Sequence, residues 1–227
     1  MEERQLSTVE TQIAAVLLGA GDPEVQGSFV ERYKSSLDDF IAEMTKAIKC
    51  WKRVDSRVQG SEEIAHVSSL VFGVINNHIV SMKLFLMGLP IAAGNMDRQV
   101  IEGMALALLV SRRDIGVRKK YMEGKYSTHK ALRDAKRYAS KLGIDPVAVQ
   151  QFELGSKFRD QLSHPSFMTV AHSMFLNPTG RPMIGGFFDK GKLEIYDKEV
   201  KIHVSLASTM CNFIEGVEQN LVEDVGR

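Results

Sequence analysis

A chain of 227 residues that is 44% apolar and 25% charged can fill one sizeable core or two small ones, and it lacks the polar excess of a disordered protein. Its formal charge of +1 excludes a whole-chain polycation, so any nucleic-acid surface has to be a local patch. Cys50 and Cys211 are the only cysteines and have no metal-type spacing, and the charged start MEERQLST lacks the order of an export signal; both point to a reducing compartment, the cytoplasm.

In chain order, residues 8 to 19 predict a short helix that stops at Gly19, Gly21 and the Asp22-Pro23 breaker. From Ser28, a cap candidate, to about Val54, the residues Phe29, Tyr33, Leu37, Phe40, Ile41, Met44 and Ile48 recur at helical steps, and Trp51 extends the stripe as a core or interface anchor. Ser61 opens a third helix running to Gly88. Residues 64 to 82 carry no Asp, Glu, Lys or Arg, but His66, Asn76, Asn77 and His78 interrupt them too often for a membrane span, so the stretch reads as a buried helix. Pro90 begins a fourth helix in which Ala92, Ala93, Gly94 and Gly103 permit close approach of a neighbour.

Residues 112 to 141 then change character. Eleven Lys or Arg stand against three acids, a local charge of +8, with Tyr121, Tyr126 and Tyr138 interleaved. Ser127 or Thr128 caps a fifth helix ending at Gly143, and Asp145-Pro146 opens a sixth. A seventh, with Phe167, Val170, Met174 and Phe175 on one face, stops at Asn177-Pro178. In the Gly-rich stretch beyond it, Leu193, Ile195, Val200, Ile202 and Val204 recur among polar residues and predict a small β-hairpin, with a last helix from about Leu206 to Val222.

Few constellations carry chemistry. No phosphate-binding glycine loop, serine elbow or paired-cysteine zinc site is present. Glu63 and His66 have the Glu-x-x-His spacing of di-iron bundles, but a second copy is missing, since Glu102 has Ala105 where its histidine should be; no metal and no cofactor are expected. The stretch FELGSKFRDQLSHPS holds Arg159 and His164 five positions apart, just before Pro165. A histidine moves protons near neutral pH and an arginine steadies charge on phosphate oxygens, a pairing suited to cleavage of RNA by its own 2′-hydroxyl. Among the basic residues, Arg118, Lys119, Lys120, Tyr121, Lys125, Tyr126, Lys130, Arg133 and Arg137 are the candidates for holding RNA by charge and stacking. A solvated, alternately charged helix face explains the same composition.

The order of apolar helices around SMKLFLMGLPIAAGNMDRQVIEGMALALLVSRR, a basic link, then FRDQLSHPS, resembles the HEPN-like helical proteins over about residues 60 to 176. Their active members use an Arg, a polar residue, a few more positions and a His, which Arg159, Asp160 and His164 match; Ser163 adjoins the histidine. The resemblance implies a mainly α helical bundle that forms a homodimer and cuts RNA without metal in toxin or defence systems, with an antitoxin or other protein partner. The His-Pro-Ser ending is similar to branches without an established activity, which implies a structural role for His164; the alternative expectation is a non-catalytic module of the same fold that binds RNA, a nucleotide or a protein. The expected organisation is N-terminal helices over residues 1 to 58, a HEPN-like bundle over 59 to 176, and a hairpin with a C-terminal helix over 177 to 227.

Overall fold

The computed structural model describes residues 8–18, 22–145, 147, 149–150, 152–156, 169–170, 174–175 and 185–225. The described residues are mainly α-helical, and no strand occurs among them. The helices described from end to end are α1 (Thr8–Leu18), α2 (Pro23–Asp55), α3 (Glu62–Leu86), α4 (Pro90–Ser111), α5 (Val117–Met122), α6 (Ala131–Arg137), α7 (Ala139–Leu142) and α8 (Leu193–Val225), and residues 152–156 are also helical.

Their ends follow from local chemistry. Asp22 accepts hydrogen bonds from the amides of Glu24 and Val25 with Pro23 in the first turn, so the residue pair expected to break the chain starts α2 instead. Ser28, the expected cap, lies inside the helix and donates to the Glu24 carbonyl. Ser61 caps α3 through the amide of Ile64, and Pro90 opens α4, both as expected. Gly88 ends α3 with φ of +75°, and the Leu89 amide returns to the Leu84 carbonyl, satisfying an acceptor the helix leaves open. The single helix expected before Gly143 is broken into a 3-10 turn at Thr128–Lys130 followed by α6 and α7.

Four long helices form the bundle. α3 packs most extensively on α4, α8 on α2, and α2 also packs on α3. Gly103 lets α3 come close, for a β-carbon there would lie 2.8 Å from the Val74 side chain. Arg32 near the start of α2 pairs with Asp197 near the start of α8, and Arg53 near the end of α2 pairs with Glu215 and Glu218 further along α8. These contacts make α2 and α8 parallel, so the chain after α4 must travel back before α8 begins. The core includes Phe29, Phe40, Met44, Phe85, Leu109, Tyr196 and Met210. Rings of Phe29, Phe85, Phe188 and Tyr196 meet edge to face at one end.

The expected hairpin is corrected. Residues 193–204 belong to α8, entered through a 3-10 turn at Lys190–Lys192 that the Asp189 carboxylate caps by accepting the Gly191 amide. The apparent alternation overlaps a helical pattern, in which Tyr196, Val200, His203, Ala207, Met210 and Ile214 recur every three or four residues and are all buried. The cysteine expectation also changes, because Cys50 on α2 and Cys211 on α8 form a disulfide with their Cα atoms 5.9 Å apart. Parallel packing of two distant helices brings them together, which spacing along the chain cannot reveal. By length and composition α3 is the one described helix able to cross a membrane, and half of its most apolar window is buried within the bundle.

Candidate functional site

Arg159, Asp160, Ser163 and His164, the expected cleavage residues, lie outside the described residues. The basic residues upstream are described, and they divide into two groups. Around the C-terminal half of α4, the short helices α5 and α6 and the turn at Thr128–Lys130 pack as an end piece on the bundle.

One group is absorbed by the fold. Arg118 is buried and donates from Nε to the Val110 carbonyl at 2.6 Å, from one terminal nitrogen to the Ser111 carbonyl at 2.6 Å, and from the other to Glu63 at 3.0 Å. It thus closes the C-terminal end of α4, where carbonyls lack helical partners. Glu63, the acid of the Glu-x-x-His pair, is also held by Arg113, whose hydrogen bond lowers its carboxyl below the usual range. His66 is turned to the Glu62 carbonyl, so these two residues do not converge on a metal. Tyr126 donates to Asp134 at 3.0 Å, and its phenol is pushed well above the ordinary tyrosine range by burial and then by that carboxylate.

The second group faces solvent. Lys125 and Arg133 are exposed and paired with Glu123 and Asp134, whereas Lys119, Lys120, Lys130 and Arg137 are exposed without an acidic partner among the described residues. Tyr121 is half-buried against the core.

The densest polar chemistry sits elsewhere, inside the bundle. His78 of α3, Asp97 of α4 and His203 of α8 have no exposed side-chain surface, and Ser81 and Glu199 are buried beside them. His78 Nδ1 lies 3.3 Å from Asp97 Oδ1, and His203 Nε2 lies 3.3 Å from Asp97 Oδ2. Ser81 Oγ donates to the Ala93 carbonyl at 2.7 Å and stands 2.9 Å from His203 Nε2. The two imidazole rings are nearly parallel, 9° apart, with 5.8 Å between centroids. Phe40 packs on His78 and Phe85 on His203, walling the group off from water. Burial lowers the pKa of His203, while Asp97 opposes that shift.

The two histidines of the stretch read as a buried helix, His66 and His78, part company: His78 is buried and hydrogen-bonded, whereas His66 is hydrogen-bonded but not buried. The group as a whole is not expected from the sequence. Two signals of the group are present in the chain: Asp97 is the first acid after Glu63, and Glu199 and His203 are one helical turn apart. The second is hidden as long as residues 193–204 are read as strand.

Comparison with family models, with curated proteins and with solved structures finds no match to this chain.

Proposed function

We propose that this chain is a HEPN-like RNA-handling protein, acting in toxin or defence systems as a homodimer with an antitoxin or other protein partner. In this reading Lys119, Lys120, Lys130 and Arg137 hold the phosphate backbone. Their exposure without carboxylate partners among the described residues is the single observation that carries it, because an ion-paired cation must lose its partner before it can replace a counterion on RNA. Tyr138, which stacks under the Arg137 guanidinium, offers a ring beside that surface. Arg118 and Tyr126 serve the surface indirectly, by fixing the end of α4 and the turn before α6.

The chemistry proposed for the bound strand is cleavage without metal. His164 takes the proton of a ribose 2′-hydroxyl, Arg159 stabilises the charge gathering on the phosphate, and Asp160 and Ser163 orient them. The alternative for the same fold is a module that binds RNA, a nucleotide or a protein and cuts nothing.

Two measurements separate the readings. Fluorescence anisotropy with a labelled single-stranded RNA should show binding that weakens with salt and falls at least tenfold when Lys119, Lys120, Lys130 and Arg137 are all replaced by Glu. Cleavage in EDTA should be present in the wild type and absent in His164→Ala. Binding without cleavage selects the module, and unchanged affinity in the four-fold variant overturns the RNA surface.

A further inference from the structure

We propose that Asp97, Glu199, His203 and His78 bind one divalent first-row transition-metal ion, zinc in the first instance, as a closed structural centre that ties α3, α4 and α8 together. The site is independent of the RNA reading. It rests on four observations about buried side chains.

Ring orientation comes first. His203 Nδ1 lies 2.8 Å from the Glu199 carbonyl, and His78 Nε2 lies 3.0 Å from the His203 carbonyl. A carbonyl only accepts, so both of these nitrogens carry hydrogen. In a neutral ring the other nitrogen then has a lone pair: His78 Nδ1 faces Asp97, and His203 Nε2 faces both Asp97 and the Ser81 hydroxyl, whose single hydrogen serves either the Ala93 carbonyl or this lone pair. A lone pair set against a carboxylate oxygen repels it unless a cation lies between. Orienting a histidine by hydrogen-bonding its remote nitrogen to a carbonyl is how proteins prepare metal ligands.

Separation comes second. In a tetrahedral site with bonds of about 2.0–2.1 Å, neighbouring ligand atoms stand about 3.3 Å apart. Both nitrogen-to-oxygen separations around Asp97 are 3.3 Å.

A further ligand comes third. One ligand atom from each of Asp97, Glu199 and His203 lies within 4.8 Å of the other two, a gap that modest side-chain rotation closes. Glu199 and His203 are four apart on α8 and so share the face turned to α4, which is how bundle cores assemble metal sites from facing helices.

Fourth, His78 Nδ1 is fully buried and makes no hydrogen bond among the described residues. A dication would supply its partner. The alternative is an imidazolium paired directly with Asp97, which places a further charge in a dry core. Nitrogen and oxygen ligands in a four-coordinate set suit Zn²⁺, Fe²⁺ or Mn²⁺, whereas an all-oxygen cage would suit Ca²⁺.

The test uses the full chain, stripped with chelator and then titrated with CoCl₂ and, separately, ZnCl₂. Expected are one equivalent bound per chain, visible absorption bands of four-coordinate Co²⁺ displaced by Zn²⁺, and a rise in melting temperature with ZnCl₂. Glu199→Gln and His203→Gln, which keep side-chain size, should each weaken Co²⁺ binding at least tenfold. A folded wild-type chain that takes up less than about a tenth of an equivalent, with no bands and no thermal shift, overturns the proposal. Unchanged Co²⁺ binding in both variants also overturns it, since the ion would then sit elsewhere. If a variant does not fold, stoichiometry and the Co²⁺ spectrum of the wild type decide.

Discussion

Tyr33 donates its hydroxyl hydrogen to Asp197 at 2.7 Å, joining the kink in α2 to the first turns of α8. Arg32 reaches the same carboxylate at 3.1 Å, so one acid on α8 holds two neighbours on α2. The relationship matters for pH. Burial first, and then the Asp197 hydrogen bond, push the Tyr33 phenol up to about 12, and burial pushes Tyr196 up to about 12 as well.

A phenol with a raised folded-state pKa contributes stability that is fully present below its unfolded value, about 10, and is lost as pH rises toward 12. Denaturant melts at pH 8, 10, 11 and 12 should therefore show a steep alkaline decline. Tyr33→Phe should lower stability at pH 8 by about 1 kcal/mol and make that decline shallower. An equally steep decline in the variant would assign it to other groups.

The disulfide joins residues 161 apart. Closing so long a loop restricts the unfolded chain, and loss of such a bridge costs about 2–5 kcal/mol. Urea melts with and without a phosphine reductant should differ by that amount, and Cys211→Ala should melt like the reduced wild type. Thiol counting by mass spectrometry checks which form the purified protein holds.

Arg118 and its neighbour Lys119 should respond oppositely to truncation. Arg118→Ala leaves the Val110 and Ser111 carbonyls without their donor and removes a partner of Glu63, a loss of about 2–4 kcal/mol measured by denaturant melts. Lys119→Ala removes an exposed side chain and should change stability by less than about 0.5 kcal/mol while weakening RNA binding.

At the turn after α3, Gly88 meets the chain leading into α8. A β-carbon on Gly88 would lie 2.3 Å from the Phe187 amide nitrogen, and one on Gly186 would lie 1.7 Å from the Met87 carbonyl oxygen. Gly88 also has φ of +75°. Gly88→Ala should cost about 2–4 kcal/mol, combining backbone strain with overlap. Gly124→Ala, with φ of +67° and open space around it, isolates the strain and should cost about 1–2 kcal/mol.

Much of the bundle was legible from local pattern. Phe29, Tyr33, Leu37, Phe40 and Met44 mark the buried face of α2 at helical spacing, and Ser61, Pro90 and Gly143 mark ends through chemistry that acts within one turn. The start of α8 was not legible. Val200 satisfies both the strand and the helix pattern, and only the surface offered by α2 and α4 selects the helical face of Tyr196, His203 and Ala207.

The basic block was legible as composition but not as a surface. Its charge is evident in sequence, yet whether a given cation faces water depends on which carbonyl or carboxylate lies beside it. Arg118 finds the end of α4 and Glu63, while Lys119, one residue later, points outward.

The sequence by itself therefore determined the helical character, the faces of α2 to α4 and the presence of a cationic stretch, because each depends on residues within a few turns of one another. Only the tertiary structure decided that His78, Asp97 and His203 share one buried site and that Cys50 meets Cys211. Those groups come from helices far apart in the chain, and the angle and register at which helices pack determine which inward side chains touch.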